Sequence, residues 1–377
     1  MPQRNPEQRT GEAAADEAAV GALRIRWNAG TWLLILALLY TAYFAKDVLI
    51  PIALAFLLNL LLAPVVRLLH GRLRIPQIIA AFLVVAGLIG AAVAGFYALA
   101  APAAEWTDRL PTATLEIERK LRLLRAPVEE VKEAARRVEQ LAKGEKREAA
   151  AEEPVPVVVA GPSLAQTLLG QTATISMGLL VTIILLLFLL ASGDTLLRQA
   201  ISITPRLRDK KRIVEIARES EYDISHYLLT VSLINVALGC AIGTVLWLLE
   251  VPNPLLWGVM AAVFNYVPYV GALVGVGVVA LVSVITFDSA LAIAAPPLAY
   301  MIINGVEGQL ITPALVARRL ALNPVAVLLS LIVWSWLWGI AGALLAVPLL
   351  AAFKILCDRV EDLQPIGTML ERPAPPA

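Results

Sequence analysis

Long apolar runs alternate with short charged connections along this chain. The charged side chains between residues 224 and 353 are Glu250, Asp288, Glu307, Arg318 and Arg319, too few for an ordinary water-exposed surface. The apolar runs cover 31–45, 48–66, 75–104, 175–191, 224–249, 251–287, 289–316 and 320–353. Such runs are stable in the hydrocarbon of a bilayer, where a helix forms all its backbone hydrogen bonds internally. The pattern therefore predicts an all-α, polytopic membrane protein with about seven or eight hydrophobic segments.

Composition supports the same class. Hydrophobic residues make up 59% of the chain and charged residues 16%, whereas soluble proteins average about 45–50% apolar residues. The formal net charge of +1 gives no general attraction to nucleic acid, so membrane lipid is the expected partner. Cys240 and Cys357 each belong to apolar surroundings, which argues against a disulfide framework or a CxxC metal site. We therefore expect no metal and no cofactor.

The distribution of basic residues predicts the topology, because Lys and Arg in short connections resist translocation. Basic residues cluster in the N-terminal tail, in the 67–74 connection and in the 193–223 connection, whereas the first turn carries only Lys46. This alternation predicts a cytoplasmic N-terminus, and we expect no cleaved signal peptide before the first run. The predicted segments are a cytoplasmic polar tail (1–30), N-terminal membrane helices (31–104), a charged helical extramembrane insertion (105–171), a membrane helix (172–192), a cytoplasmic or interfacial amphipathic segment (193–223), a C-terminal membrane domain with broken helices (224–356) and a polar, proline-containing tail (357–377).

The insertion carries a heptad pattern. Apolar or small residues repeat with 4-3 spacing from Leu110 to Ala142, and Pro127 is expected to kink or split the helix. Two interpretations stay open: a solvated helical hairpin packed on the membrane domain, or a seam that joins the subunits of a homo-oligomer.

Discontinuous helices are predicted in the C-terminal half. Asn253-Pro254 and Asn323-Pro324 each place a capping residue before a first-turn proline. The candidate helix-breaking residues are Pro268 and Gly271 in the first segment and Gly339, Gly342 and Pro348 in the second. The run 251–287 is then either one broken span or a re-entrant pair. The breaks either line a path for solute or, alternatively, the glycines only allow close helix packing.

Glu307 is the most informative single residue, because an acid in an apolar run must face a cavity, a partner or the interface. The hypothesis is that its carboxylate contacts substrate or carries a coupling proton. The alternative is a polar turn at the membrane boundary. Asn304, Gln309, Asn265 and Tyr266 are the accompanying candidates for a substrate or ion path.

Several short motifs together resemble one family. They are residues 189–194 (LLASGD), 252–258 (PNPLLWG), 267–271 (VPYVG), 307–313 (EGQLITP), 322–324 (LNP), 338–342 (WGIAG) and 346–349 (AVPL). These residues are similar to the autoinducer-2 exporter family of bacterial permeases, and the resemblance extends from about Trp32 to Cys357. It implies a multi-pass protein of the bacterial inner membrane. It also implies a permease or exporter, with autoinducer-2 associated with some relatives and sodium–proton exchange with others.

The leading hypothesis is therefore secondary or facilitated export of a small polar solute, autoinducer-2-like by resemblance. No GxxxxGK[ST] phosphate loop occurs in the sequence, so an ion gradient or the solute gradient is the expected drive. A sodium–proton antiporter is the near alternative, although it calls for paired membrane carboxylates and Glu307 stands nearly alone. A noncatalytic membrane scaffold is the alternative from another class. An enzyme is not expected, because neither an HExxH motif nor a second acid beside Glu307 is evident.

Overall fold

The computed structural model describes residues 29–109, 164–193, 195, 199, 202, 207–315, 322–360 and 363–371. Within these ranges the chain is helical, and the one isolated β-bridge pairs Leu322 with Glu371. The predicted all-α class is confirmed. The heptad pattern of residues 110–142, with Pro127, lies outside the described residues, as does most of the N-terminal tail.

The helices follow the apolar runs. They are α1 (Ala29–Phe44), α2 (Lys46–Leu73), α3 (Gln77–Arg109), α4 (Leu164–Ser192), α5 (Leu207–Leu248), α6 (Pro254–Phe264), α7 (Val270–Thr286), α8 (Ala290–Val306), α9 (Thr312–Leu315), α10 (Pro324–Arg359) and α11 (Gln364–Met369), with a π-helical turn at Glu307–Ile311 between α8 and α9. In the described part of the chain, six helical segments are long and apolar enough to cross a membrane, and α6 and α7 are shorter apolar helices.

Large apolar side chains point outward along these helices. Leu233 on α5, Leu273 on α7 and Leu291 on α8 are each more than two-thirds exposed. Such a surface is unfavourable in water and suited to hydrocarbon, since lipid chains are as apolar as leucine. The protein is a multi-pass membrane protein.

One predicted boundary differs in the structure. The amphipathic segment 193–223 was expected to end before a separate membrane helix, but α5 runs without interruption from Leu207 to Leu248. A helix of 42 residues is about 63 Å long, roughly twice the hydrocarbon thickness. Its charged first half therefore continues the membrane helix into water, because no glycine or proline ends the helix near Asp223.

The chain forms two compact units. The first unit comprises the described residues of Met1–Phe82, Gly178–Leu229 and Val316–Ala377, and the second unit those of Leu83–Met177 and Thr230–Leu315. In the second unit, Trp106 and Trp257 meet edge to face with ring centroids 5.3 Å apart, inside a buried cluster that includes Val279 and Tyr300. Gly239 and Gly258 let α5 and α6 approach so closely that an added Cβ on either would overlap the other's carbonyl oxygen. This packing fixes α5 against the helices that carry the candidate site.

Helix α10, in the first unit, is a hairpin rather than one straight span. A straight helix of 36 residues would be about 54 Å long. Yet Leu370, eleven residues beyond the end of α10, accepts a hydrogen bond from the Asn323 N–H at 2.9 Å, just before α10 begins. Eleven residues reach at most about 40 Å, so α10 must fold back on itself. The Ser330 hydroxyl donates to the Ala346 carbonyl at 2.9 Å and ties the two halves together.

The reversal lies at Gly339, whose φ of 62° and ψ of −137° are non-helical. This region of backbone conformation is accessible essentially only to glycine. Pro348 was also a candidate helix break, and here the structure corrects the sequence-based expectation: Pro348 lies buried within the second half of α10, where the helix continues. One missing N–H donor is tolerated when neighbouring helices satisfy the freed backbone, so a proline alone need not end a membrane helix.

Candidate functional site

The second unit contains a break between two apolar helices. Helix α6 ends at Phe264 and α7 begins at Val270, so residues 265–269 form the interval. Pro268 explains the position, because a proline ring clashes with the carbonyl four residues earlier, here that of Phe264. The Phe264 carbonyl instead accepts from the Val267 N–H at 2.9 Å. With 11 residues, α6 rises about 16 Å, roughly half of a 30 Å hydrocarbon core.

Tyr269 closes the break in a strained conformation. Its φ is 63° and its ψ is −54°, and the Val270 N–H donates to the Pro268 carbonyl at 2.7 Å across it. This is the rarer form of γ-turn, which a residue with a Cβ adopts only at a cost of about 1–3 kcal/mol. Backbone strain of this kind clusters at functional sites, where the surrounding structure holds it.

Replacing Tyr269 tests this strain. We expect Tyr269→Gly to be more stable than Tyr269→Ala by about 1 kcal/mol, because glycine relieves the positive φ and loses only part of that gain to its greater freedom when unfolded. Both variants remove the same exposed ring, so their comparison isolates the backbone. The measurement is the free energy of unfolding in detergent. Equal stabilities would show that the turn carries no strain.

Four polar side chains meet at the break, and we call them the polar cluster: Ser232, Asn235, Asn265 and Tyr266. The Asn265 side-chain Nδ2 donates to Asn235 Oδ1 at 2.8 Å. The Tyr266 hydroxyl donates to Ser232 Oγ, also at 2.8 Å. Ser232 and Asn235 lie three residues apart on α5 and so share one face, which the break covers. In the described part of the chain, the Asn265 and Tyr266 carbonyls accept no backbone hydrogen bond.

The break between α6 and α7 and the reversal within α10 share one feature: a glycine after each packs against a backbone carbonyl before it. A Cβ on Gly271 would overlap the Phe264 carbonyl, and a Cβ on Gly342 would overlap the Trp334 carbonyl. In each case the carbonyl lies eleven positions after the asparagine that precedes the first half-helix. The glycines just after each break are therefore packing glycines, whereas Gly339 supplies the unusual backbone conformation.

The asparagines before these half-helices behave differently. Asn323 caps α10 as expected, because its Oδ1 accepts from the Val325 N–H at 2.9 Å. Asn253 instead has a left-handed φ of 56° and makes no capping bond. Its Nδ2 donates to Glu105 Oε2 at 3.4 Å. Both prolines still occupy the first turn of their helices.

Glu307 faces inward from a π-helical turn. It is 7% exposed, whereas its neighbours on either side are exposed. The Thr312 hydroxyl donates to the Glu307 carboxylate, and the Thr312 N–H donates to the Glu307 carbonyl five residues earlier. Pro313 cannot donate to the preceding turn, which favours this wider winding. Single π turns occur frequently at functional sites.

The other predicted path residues do not join Glu307. Asn304 is half-buried on α8 and Gln309 is exposed on the π turn. In the described part of the chain, no hydrogen bond links Glu307 to the polar cluster. Among the described residues of the second unit, Glu307 and the polar cluster are thus separate from each other. Sequence analysis missed Ser232 and Asn235, although their spacing of three within an apolar run was the available signal.

The tip of the α10 hairpin packs against α1 within the first unit. The buried Trp338 donates its indole N–H to the Ala42 carbonyl at 3.0 Å, and Trp336 stacks on Tyr43 at 5.8 Å between centroids. Trp338 is therefore an anchor of the hairpin.

A polar cavity of about 510 Å³ also lies in the first unit. Its lining includes His70, Gln77 and the ion pair of Arg67 with Glu221, whose nitrogen and oxygen lie 2.7 Å apart. Sequence analysis assigned these basic residues only a topological role. The Arg67 side chain is about half exposed, and an exposed pair of this kind contributes little to stability.

Among the described residues, no group of three His, Cys, Asp or Glu side chains could hold a metal ion. The arrangement of the two polar groups instead offers neutral hydrogen-bonding atoms at a helix break and one buried acid. Such an arrangement can bind and release a small polar molecule at membrane depth.

Comparison with known proteins adds an independent finding. The AI-2E family transporter profile matches residues 32–362 of this chain. The chain is 28% identical over 330 residues to the AI-2 transport protein TqsA of Escherichia coli (strain K12), covering 87% of this chain and 90% of that protein. It is 27% identical over 328 residues to the putative transport protein YhhT of the same strain, covering 86% and 88%. It is also 30% identical over 176 residues to the putative transport protein YrrI of Bacillus subtilis (strain 168), covering 46% and 49%.

Proposed function

This chain belongs to the AI-2E transporter family and is a membrane permease, and on that premise we propose that it exports a small polar solute similar to autoinducer-2. One of the relatives that the chain matches over most of its length is named as an AI-2 transport protein. We propose that transport is secondary or facilitated and that the solute passes the break at residues 265–269.

The break is the observation that carries this proposal. Polar backbone and side-chain groups at membrane depth are tolerated only where protein or a water-filled cavity satisfies them. Asn265 and Tyr266 are half-buried, and each is hydrogen-bonded to a polar residue of α5. Helices that served only to anchor the chain in lipid would be more stable with apolar residues at these four positions. Discontinuous helices of this kind form substrate sites in transporters.

We propose a second role for Glu307, namely carrying the coupling proton or contacting the solute. Its burial supports this role. Burying an acid inside a membrane costs free energy, and such acids typically mark substrate paths or proton relays. The Thr312 hydroxyl holds the carboxylate in one orientation.

We propose that the protein lies in the bacterial inner membrane with its N-terminus in the cytoplasm. The basic residues of the 67–74 connection and of the first half of α5 support this orientation. Arg359, near the end of α10, pairs with Glu219 and Asp223 in that charged first half of α5. The end of α10 would then be cytoplasmic as well.

Flux into proteoliposomes tests the proposed function. The full chain is reconstituted and the uptake of autoinducer-2 is measured with no imposed gradient, with an imposed proton gradient and with an imposed sodium gradient. We expect uptake well above that of protein-free vesicles, and acceleration by the proton gradient if Glu307 carries a proton.

Sodium-22 uptake in the same vesicles separates the antiporter alternative. Proton-driven sodium flux without any uptake of autoinducer-2 would overturn the proposed export of a polar solute. Absence of both fluxes, with the protein shown to be inserted, would contradict any transport of these probes by this chain.

A further inference from the structure

Asn235 has a polar atom without a partner. The residue is 2% exposed, and its Oδ1 accepts from Asn265, but its Nδ2 makes no hydrogen bond. An orphaned amide donor at membrane depth is costly, because the hydrocarbon offers no acceptor. Buried polar groups are otherwise almost always satisfied, so this one calls for an explanation.

One side-chain atom of Asn235 lacks a hydrogen-bond partner whichever way the two amides are oriented. If both amides were turned over, Asn235 Nδ2 would donate to Asn265 and the Asn235 oxygen would lack a partner instead. Asn235 therefore presents one unmet hydrogen-bonding atom in either arrangement. A hydroxyl group of a bound solute could pair with Asn235 in either arrangement, because a hydroxyl both donates and accepts hydrogen bonds.

The rest of the polar cluster has the same character. Ser232 accepts from Tyr266 and donates no hydrogen bond in the described part of the chain. No backbone N–H of the described residues outside the helices donates to the Asn265 or Tyr266 carbonyl, so both can accept. None of the hydrogen bonds or ion pairs of the described residues joins a charged side chain to these four residues. A charged solute group would find no counter-ion here, whereas hydroxyl and carbonyl groups would find donors and acceptors.

We infer that the polar cluster is the solute-binding site and that Asn235 Nδ2 donates a hydrogen bond to an uncharged hydroxyl or carbonyl oxygen of the solute. This inference rests on the proposed transport function and names the residue that recognises the solute. It excludes phosphorylated and carboxylated solutes as good substrates, because their charge would be buried without a partner.

Two substitutions at Asn235 separate recognition from support of Asn265. Asn235→Leu removes both amide atoms at similar volume. Asn235→Met keeps a weak acceptor for Asn265, its thioether sulfur, and has no donor in any protonation state. We expect both variants to raise the half-saturating concentration for autoinducer-2 uptake about tenfold, the value of roughly one lost hydrogen bond to a buried group. Ser283→Ala is the matched control, because the buried Ser283 hydroxyl is satisfied by the Val279 carbonyl at 2.8 Å within its own helix.

The outcomes are distinguishable. Uptake by the wild type with an unchanged half-saturating concentration in Asn235→Met would overturn the inference and leave the proposed function standing. Absence of uptake by the wild type would remove the proposed function itself. Competition gives the solute class: ribose is expected to inhibit uptake and ribose 5-phosphate to inhibit it far less, and equal inhibition by both would contradict an uncharged site.

Alkylation protection provides a measurement that needs no change at Asn235. Ser232→Cys, three residues away on the same face of α5, is reacted with a maleimide in the presence and absence of ribose. We expect ribose to slow the reaction of this cysteine several-fold and to leave the native Cys240, exposed on the same helix, unaffected. Equal reaction of Ser232→Cys with and without ribose would overturn the proposed site, even if the Asn235 variants failed to fold.

Discussion

Gly271→Ala is expected to abolish transport and to lower the free energy of unfolding by about 3 kcal/mol, the upper end of overpacking costs. The added Cβ would overlap the Phe264 carbonyl oxygen, which belongs to the backbone and cannot rotate away as a side chain could. Relief would require α7 to move from α6, and that movement would pull the break away from the face of α5 that carries Ser232 and Asn235. The measurements are thermal or denaturant unfolding in detergent and autoinducer-2 uptake into proteoliposomes.

Gly277→Ala is the matched control on the same helix. Nothing lies within 4 Å of a Cβ added to Gly277. Because alanine is a better helix former than glycine, this change is expected to raise stability by about 0.5–1 kcal/mol and to leave uptake intact. If Gly271→Ala matched Gly277→Ala in both stability and uptake, close packing across the break would be unnecessary for folding and for transport.

Glu307→Gln is expected to remove the response of uptake to an imposed proton gradient while uptake down the solute gradient persists. Glutamine has nearly the same shape, and its side-chain oxygen can still accept from Thr312, so the π turn should remain. Glutamine cannot bind and release a proton in the way a carboxylate does. Uptake is compared at several pH values and with opposite proton gradients.

Two further variants show whether the effect belongs to this carboxylate. Glu250→Gln changes an exposed acid beyond the end of α5 and should leave the proton response unchanged. Thr312→Val keeps the Glu307 carboxylate and removes its hydroxyl donor, so the response to the proton gradient should persist. An unaltered rate and pH response in Glu307→Gln would exclude Glu307 from the transport mechanism.

Much of the fold could be predicted from the sequence. The apolar runs predicted the membrane helices because each run is one local property of consecutive residues. Asn323-Pro324 and Asn253-Pro254 predicted two helix starts, since capping and first-turn preferences also act over a few residues. The family resemblance agreed with the match over residues 32–362.

The candidate site was predicted only in part. Asn265 and Tyr266 were identified because they interrupt an apolar run next to Pro268. Their partners Ser232 and Asn235 were not, because each partner lies at least 30 residues away along the chain. Glu307 was identified too, but the π turn that brings the Thr312 hydroxyl to its carboxylate was not, because no local pattern indicates an extra residue in a helical turn.

Four properties were determined by the sequence alone: the helical class, the location in a membrane, the starts of most helices and the family. These properties follow from hydrophobicity and backbone preferences over a few neighbouring residues. Only the tertiary structure decided that α10 reverses at Gly339 while its helix continues through Pro348, and that Asn235 meets Asn265 with one amide atom unmet. Pairings of this kind depend on which surfaces pack together, and packing is a property of distant segments that no short stretch of sequence contains.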